Sequence, residues 1–286
     1  MIDSIMTQRY ASLFNLPAAA CYRFIEADVR TADLRPLFDG ARAVVHLAAI
    51  TDAAGSFDKA EALEANNYIA TEKVSAACAE TGAPLVHLSS TSVYGTQNET
   101  VSEDCAPEDL KPQSPYATTK LKEENLVRSL HNRGLRAIVC RFGTIFGPSV
   151  GMRFHTAVNK FCWQAVMGHP LSVWRTAYDQ KRPYLDLIDA VRAVTFIVRR
   201  DLFDGRIYNV LTLNATVRDI AETIREFVPA VELSFVDSPI MNQLSYEVSP
   251  QRFADQGFVF CGDITRGIGA TIAQLRSANC NPADLP

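Results

Sequence analysis

Short apolar segments alternate with longer segments of helical periodicity in the first half of the chain. This alternation predicts parallel β-strands joined by crossover helices, and therefore an α/β fold with a doubly wound parallel sheet. One helix is expected over residues 59–80, where apolar side chains recur at broadly helical spacing before Gly82 and Pro84 stop the helix. The strands are predicted at residues 22–28, 43–47, 85–89, 136–142 and 206–210.

The character of the chain changes after Gly147 and Pro148. Both tryptophans, several arginines and a long irregular segment with an apparent strand at 232–235 follow this point. We therefore expect a second, smaller region in the C-terminal half. Residues 182–212 contain strand and helix patterns that predict a return to the first sheet. The expected organisation is a first domain of residues 1–148 extended by 182–212, and a second region made of 149–181 and 213–286.

Composition narrows the class of protein. Hydrophobic residues make up 48% of the 286 positions and charged residues 21%, which is typical of a globular protein rather than a disordered or fibrous one. The net charge of -4 argues against attraction to nucleic acid or to an anionic membrane surface. No apolar run approaches the ~18 residues of a membrane span, and the first residues lack a secretory signal, so a cytoplasmic location without a membrane partner is predicted.

Cysteine and histidine spacing gives no indication of a metal site. The seven cysteines are odd in number and include no C-x-x-C pair, and the five histidines include no H-x-x-x-H pair. This spacing argues against a disulfide framework and against zinc. We therefore expect no metal.

The segment SPYATTK, residues 114–120, carries the most informative chemistry. Ser114 followed by Pro115 is a helix-start signature, which places Tyr116 and Lys120 at i and i+4 on one helix face. A neighbouring ammonium stabilises a phenolate and lowers the pKa of the phenol, so such a pair can act as an acid and a base near neutral pH. The alternative is a chance Tyr-x-x-x-Lys on a solvated helix.

A run of hydroxyl side chains follows the third predicted strand. Residues 89–95 read SSTSVYG, which puts one or more hydroxyls at the carboxyl end of the strand, where open α/β sheets bind ligands. A hydroxyl there could donate to a substrate oxygen whose proton Tyr116 removes. Taken alone, the cluster would be interpreted as a turn.

Together these segments resemble the extended short-chain dehydrogenase/reductases, in particular their NAD-dependent epimerase/dehydratase group acting on nucleotide sugars. The matching segments occur in the family's order and cover nearly the whole chain. They are residues 27–29 (ADV), 45–49 (VHLAA), 67–71 (NYIAT), 89–95 (SSTSVYG), Tyr116 with Lys120, 141–148 (RFGTIFGP), 182–186 (RPYLD) and 208–210 (YNV). The resemblance implies a Rossmann-type dinucleotide-binding domain and a smaller C-terminal substrate domain.

The resemblance also implies roles for individual residues. Tyr116 would be the base, Lys120 would hold the nicotinamide ribose, and Ser90 would be the catalytic hydroxyl. The implied cofactor is NAD, with NADP as the alternative. The implied cofactor-binding residues are Asp3, Asp28, Val29, Leu47, Ala48, Ala49, Asn67, Ser89, Tyr116, Lys120 and Phe142. The implied substrate-binding residues are Ser90, Thr91, Thr144 and Arg182, with Arg182 gripping the diphosphate of a nucleotide sugar.

The chain departs from the family's pattern in three places. No G-x-G-x-x-G or G-x-x-G-x-x-G motif follows any predicted strand, although the family binds the dinucleotide phosphates there. Thr144 stands where many epimerases place an asparagine that contacts substrate. Thr91 and Ser92 stand where 4,6-dehydratases carry an Asp-Glu pair, and a dehydratase needs an acid to expel the leaving hydroxyl. The third departure disfavours dehydration.

The resemblance therefore favours an epimerase, with a homodimer as its assembly. The alternatives are a reductase or dehydrogenase of another carbonyl compound, and a catalytically silent fragment. The chain begins where the family's second strand ends, so the reading frame upstream is expected to encode a strand, a glycine loop and a helix. Two absent strands would lie between strands 22–28 and 43–47, and the chain alone is expected to fold poorly and bind NAD weakly.

Overall fold

Every predicted strand contains β-structure in the computed structural model, which describes residues 1–51, 57–97, 99–237 and 245–279. The strands are β1 (Ile2–Asp3), β2 (Ile25–Glu26), β3 (Val44–His46), β4 (Leu85–Ser90), β5 (Ala137–Phe142), β6 (Thr144–Phe146), β7 (Leu171–Trp174), β8 (Lys181–Asp186), β9 (Asp204–Val210), β10 (Leu213–Thr216) and β11 (Leu233–Val236). The α-helices are α1 (Arg35–Phe38), α2 (Ala60–Thr81), α3 (Pro115–His131), α4 (Ala157–Val166), α5 (Leu187–Arg200), α6 (Val217–Phe227), α7 (Gln251–Ala254) and α8 (Ile264–Arg276).

The chain divides into two compact units. Unit 1 comprises residues 1–93, 112–141 and 194–208, and unit 2 comprises 94–111, 142–193 and 209–286. The sequence placed 94–111 and 142–148 in the first domain and expected 182–193 and 209–212 to return to it, whereas these four segments belong to unit 2. Hydrogen bonding explains two of these placements, because Val101 N donates to Glu247 O and β8 pairs with β6 and β10. Residues 238–244 and 280–286 of the expected substrate region lie outside the described residues.

The main sheet of unit 1 has the order β3-β4-β5-β9. Strands β3 and β4 are parallel, as the alternating pattern predicts, and their register sets His46 opposite His87. Only Ile25 and Glu26 of the predicted strand 22–28 are β-structure. They pair with β1 in a separate two-stranded parallel sheet, so strands 22–28 and 43–47 belong to different sheets, and the absence of two strands between them stays a prediction.

Two helices cover the sheet of unit 1 at the point where the chemistry is expected. Helix α2 packs against α3, and α3 packs against β4. The predicted start of α3 is confirmed, because Ser114 Oγ accepts a hydrogen bond from Ala117 N at 3.1 Å and Pro115 occupies the first turn. The buried apolar core beneath these helices comprises Val29, Leu34, Phe38, Ala70, Val74, Ala77, Cys78, Ala83, Leu85, Val127, Leu135, Ala137 and Val139.

Unit 2 has its own core and two small sheets. Strand β8 lies between β6, to which it is parallel, and β10, to which it is antiparallel. Strands β7 and β11 form a parallel pair. Helices α4, α6 and α8 pack against one another. In the described part of both units, no helix is long and apolar enough to cross a membrane.

Two glycines of unit 1 share the left-handed conformation but differ in their surroundings. Gly205 has φ +75° and a Cβ there would lie 2.1 Å from ring atoms of His131, whereas Gly82 has φ +74° and open space. The His131 ring is held in place by a 2.8 Å hydrogen bond between Nδ1 and Leu135 O. Gly205 is therefore required for space as well as for its dihedral angle.

We predict that Gly205→Ala destabilises the protein more than Gly82→Ala does. Both substitutions incur the cost of a left-handed L-residue, roughly 1–2 kcal/mol, and only Gly205→Ala adds the overlap with His131, about 1–3 kcal/mol. Urea unfolding of the two variants measures the difference. Equal losses of unfolding free energy would contradict this account of Gly205.

Candidate active site

The carboxyl end of β4 presents a hydroxyl that can donate to a ligand. Ser90 is the last residue of β4, and Ser90 Oγ accepts hydrogen bonds from Ser92 N at 3.2 Å and Ser92 Oγ at 2.9 Å. Among the described residues, no acceptor takes the hydroxyl hydrogen of Ser90. A hydroxyl that is held as an acceptor and retains its hydrogen is suited to donate to a substrate oxygen.

Tyr116 and Lys120 lie together on α3, as their spacing predicts. Lys120 Nζ is 6.0 Å from the centre of the Tyr116 ring, and Lys120 is 4% exposed. Burial opposes the charged form of Lys120, but Glu123, Tyr116 and Glu124 outweigh it and raise the pKa of Lys120 above its ordinary value. The ammonium is therefore retained inside the protein, next to the phenol.

Two acceptors hold the Lys120 ammonium. Lys120 Nζ donates to Glu123 Oε2 at 2.9 Å and to the carbonyl oxygen of Leu88, in β4, at 3.1 Å. An ammonium has three donors, and the third has no partner among the described residues. The lysine is thus fixed by the helix and the strand, with one donor left for a ligand.

A chain of buried polar groups continues from Glu123 to β3. Thr71 Oγ1 donates to Glu123 Oε2 at 3.1 Å and lies 3.1 Å from His46 Nε2. Because the threonine hydrogen is used on Glu123, His46 Nε2 must be the donor to Thr71. Burial and then the charge of Lys120 lower the pKa of His46 to about 3, so His46 is neutral.

His87 completes this cluster. His87 Nε2 is 3.4 Å from Glu123 Oε2, and the rings of His87 and His46 are 5.8 Å apart. Burial, followed by the charge of Lys120, holds the pKa of His87 well below its ordinary value. With both histidines neutral, Lys120 is the cation that balances Glu123.

A second buried ion pair lies one position further along α3. Arg141 Nε donates to Glu124 Oε1 at 2.9 Å and Arg141 Nη2 donates to Glu124 Oε2 at 2.7 Å. Ser89 Oγ also donates to Glu124 Oε1, at 2.5 Å. The Ser89 hydroxyl, which the resemblance assigns to the cofactor, is therefore engaged by a glutamate of the protein itself.

We predict that Arg141→Met lowers the free energy of unfolding by about 3–5 kcal/mol, because it leaves Glu124 buried without its cation. Arg136→Met is the matched control, since Arg136 pairs with Asp201 on the surface and exposed pairs contribute about 1 kcal/mol or less. Chemical denaturation compares the two variants. A loss in Arg141→Met no larger than in the control would show that the buried pair does not stabilise unit 1.

The residues expected around the cofactor after β3 form an accessible apolar surface. Leu47 is 63% exposed, and Ala48 and Ala49 are half-buried. Asn67 is fully buried in α2 and brackets the backbone of Ile50, accepting from Ile50 N at 2.8 Å and donating to Ile50 O at 2.9 Å. Asn67 thus positions the segment after β3 through its backbone.

The residues expected at the adenosine end lie near β1 and β2. The Asp28 carboxylate accepts two hydrogen bonds from Arg30 Nε and one from Arg30 Nη2, and this pairing lowers the pKa of Asp28. Val29 is buried, and Asp3 Oδ1 accepts from Ile5 N at 2.7 Å. Both carboxylates therefore already accept hydrogen bonds from a residue two positions further along the chain.

The remaining predicted residues are spread over both units. Thr91 is 2% exposed in unit 1, whereas Phe142, Thr144 and Arg182 belong to unit 2. Nε and Nη2 of Arg182 are buried and have no hydrogen-bond partner among the described residues. A guanidinium with two unsatisfied donors is suited to an anionic ligand.

Within the described residues, no group of three or more His, Cys, Asp or Glu side chains is placed to hold a metal.

Sequence reasoning missed the acidic side of this site. Glu123 lies three residues after Lys120, on the same helix face, and the i, i+3 spacing could have indicated the pair. A charged residue in an amphipathic helix is usually solvated, however, and only the fold shows that Glu123 is fully buried.

Comparison with known proteins places these residues in a family. The family model of the NAD dependent epimerase/dehydratase family matches residues 2–210. An uncharacterized UDP-glucose epimerase from Bacillus subtilis is 30% identical over 204 residues, which are 70% of this chain and 62% of that protein. The chloroplastic UDP-sulfoquinovose synthase of Spinacia oleracea is 30% identical over 190 residues, 56% of this chain and 39% of that protein. The matches thus span less than two thirds of these two relatives.

A solved structure shares the fold. UDP-glucuronic acid 4-epimerase from Bacillus cereus, in complex with UDP-glucuronic acid and NAD, superimposes with a TM-score of 0.86 over 97% of this chain and 90% of that one. The sequences are 21% identical, so this likeness shows the fold alone. The predicted α/β class with a Rossmann-type core is confirmed.

Proposed function

Because the chain belongs to the NAD dependent epimerase/dehydratase family, we propose that it epimerises a nucleotide sugar with NAD as cofactor. The observation that carries the proposal is the buried Lys120 ammonium beside Tyr116. The Ser90 hydroxyl, which retains its hydrogen for donation, lies in the same unit. The names of the Bacillus subtilis and Bacillus cereus relatives support a nucleotide sugar as the substrate class, and the latter structure supports NAD.

The residues of unit 1 fit the nicotinamide ribose of such a cofactor. The third donor of Lys120 is available for a ribose hydroxyl, and Leu47, Ala48 and Ala49 offer an accessible apolar surface at the end of β3. Contacts of Asp3, Asp28 and Val29 with the adenosine, and of Phe142 with the nicotinamide, stay predictions. No residue is assigned to the pyrophosphate.

The chain's own residues move the proton of the reaction. When bound, NAD would supply the carbon that accepts a hydride from the sugar and returns it. The Lys120 ammonium stabilises the phenolate of Tyr116, which takes up the proton of the sugar hydroxyl and becomes a phenol, while Ser90 donates to the same sugar oxygen. Tyr116 returns the proton when the transient keto sugar is reduced on its opposite face.

Dehydration is disfavoured by the residues that follow Ser90. Thr91 is buried and the Ser92 hydroxyl donates to Ser90, and neither side chain can protonate a leaving hydroxyl as a carboxylic acid would.

In unit 2, the two unsatisfied donors of Arg182 are assigned to the diphosphate of the sugar nucleotide. A contact of Thr144 with the sugar, a homodimeric assembly and a cytoplasmic location stay predictions.

We predict that Tyr116→Phe abolishes turnover while NAD affinity stays within a few-fold of wild type. The phenol proton is used in the reaction, whereas the cofactor ribose is assigned to Lys120, so the loss falls on the transition state. Tyr10→Phe is the control, because it removes the same oxygen from an exposed ring. Turnover is measured as conversion of UDP-glucose and UDP-glucuronic acid to their epimers, and NAD affinity by calorimetry.

The same assay separates the alternatives. Tyr116→Phe with more than a tenth of the wild-type kcat, a loss under about 1.4 kcal/mol, would exclude Tyr116 as the base. Net reduction of added NAD during wild-type turnover would favour a dehydrogenase, because an epimerase returns its hydride. A wild-type protein with neither NAD binding nor turnover would be the silent fragment.

A further inference from the structure

The carboxylate of Glu123 is buried in an unusual position, beside the lysine that the proposed reaction uses. Glu123 is 0% exposed, and its Oε2 atom accepts from both Lys120 Nζ and Thr71 Oγ1. Its Oε1 atom has no hydrogen-bond partner among the described residues. Burying a carboxylate costs several kcal/mol in general, and a half-satisfied one costs more, so folding alone gives no reason for an acid here.

Burial raises the pKa of Glu123, whereas Lys120 and the Thr71 hydroxyl favour its charged form. The other ionisable groups facing this pair leave Glu123 as the anion beside Lys120. His46 of β3 and His87 of β4 are neutral, and α2 contributes the uncharged Thr71. On α3, Tyr116 lies beside Lys120, and Glu124 is neutralised by Arg141 of β5. Within the described residues, these are the titratable groups that act on Lys120 and Glu123.

We propose that Glu123 is a positioning residue that anchors the Lys120 ammonium next to Tyr116 and offsets part of its positive charge there. This inference rests on the proposed function, which gives Tyr116 and Lys120 their roles. Glu123 holds one donor of Lys120 while Leu88 O holds another, which directs the third donor. Its negative charge also makes it harder for the neighbouring phenol to lose a proton, because like charges close together disfavour each other.

The negative charge of Glu123 determines in which direction the pKa of Tyr116 should move when Glu123 is replaced. Glu123→Gln keeps the size of the side chain and an amide oxygen to accept from Lys120, but removes the negative charge. Ionisation of Tyr116 then takes place beside an ammonium that no anion offsets. The pH at which Tyr116 ionises should therefore fall in Glu123→Gln by about 1 unit.

The test is a titration of tyrosinate absorbance in the protein without cofactor. Wild type, Glu123→Gln and the control His87→Gln are each titrated with and without the additional substitution Tyr116→Phe. The difference between the two titrations gives the ionisation of Tyr116 in each protein. We expect a downward shift in Glu123→Gln and none in His87→Gln, because His87 carries no charge to remove. In turnover, the acidic limb of the kcat profile should move to lower pH by the same amount.

Other outcomes separate the inference from the function it rests on. An unshifted titration in Glu123→Gln overturns the inference even if Tyr116→Phe is inactive, and a purely structural Glu123 would lower stability without moving the titration. If Tyr116→Phe remains active, the proposed function fails while the titration still decides the role of Glu123. If Glu123→Gln does not fold, Glu123→Asp is used instead, because it moves the carboxylate away from Lys120 by one methylene. The pH at which Tyr116 ionises should then fall by less than 1 unit. A folded Glu123→Asp in which this pH does not fall overturns the inference.

Discussion

A charged ammonium inside the protein, at Lys120, is the constraint on which the arrangement of unit 1 depends. An ion of this size is stable in a protein interior only when it is paired and hydrogen-bonded. Strand β4 supplies the carbonyl of Leu88, helix α3 supplies Glu123, and helix α2 supplies the Thr71 hydroxyl that holds Glu123 in place. The packing of α2 against α3, and of α3 against β4, is thus fixed by polar contacts as well as by apolar burial.

The same arrangement explains why one of two adjacent serines is available for chemistry. Successive side chains of a strand point to opposite faces. Ser89 meets Glu124, whose other contacts are with Arg141, while Ser90 retains a hydroxyl hydrogen at the end of the strand. The two ion pairs on α3 therefore have different consequences, because one engages Ser89 and the other holds the ammonium beside Tyr116.

The sequence predicts the parts of this site that depend on local spacing, and misses those that depend on burial. The strands, the Ser114 cap and the i, i+4 pairing of Tyr116 with Lys120 follow from short-range periodicity, which the structure confirms. The placement of 94–111 in unit 2 depends on backbone bonds to residues almost 150 positions away, which no local pattern records. Glu123 looks like a surface residue in the sequence because its burial comes from the packing of α2 and β4 around it.

A double-mutant cycle between Lys120 and Glu123 tests the central claim most directly. Lys120→Met, Glu123→Gln and the double variant are compared with wild type by the free energy of unfolding at neutral pH. The account predicts that each single substitution costs about 3 kcal/mol, because it leaves one buried charge without its partner. The double variant should lose at least about 2 kcal/mol less than the sum of the two. Additive losses would contradict the claim that this ion pair holds the site together.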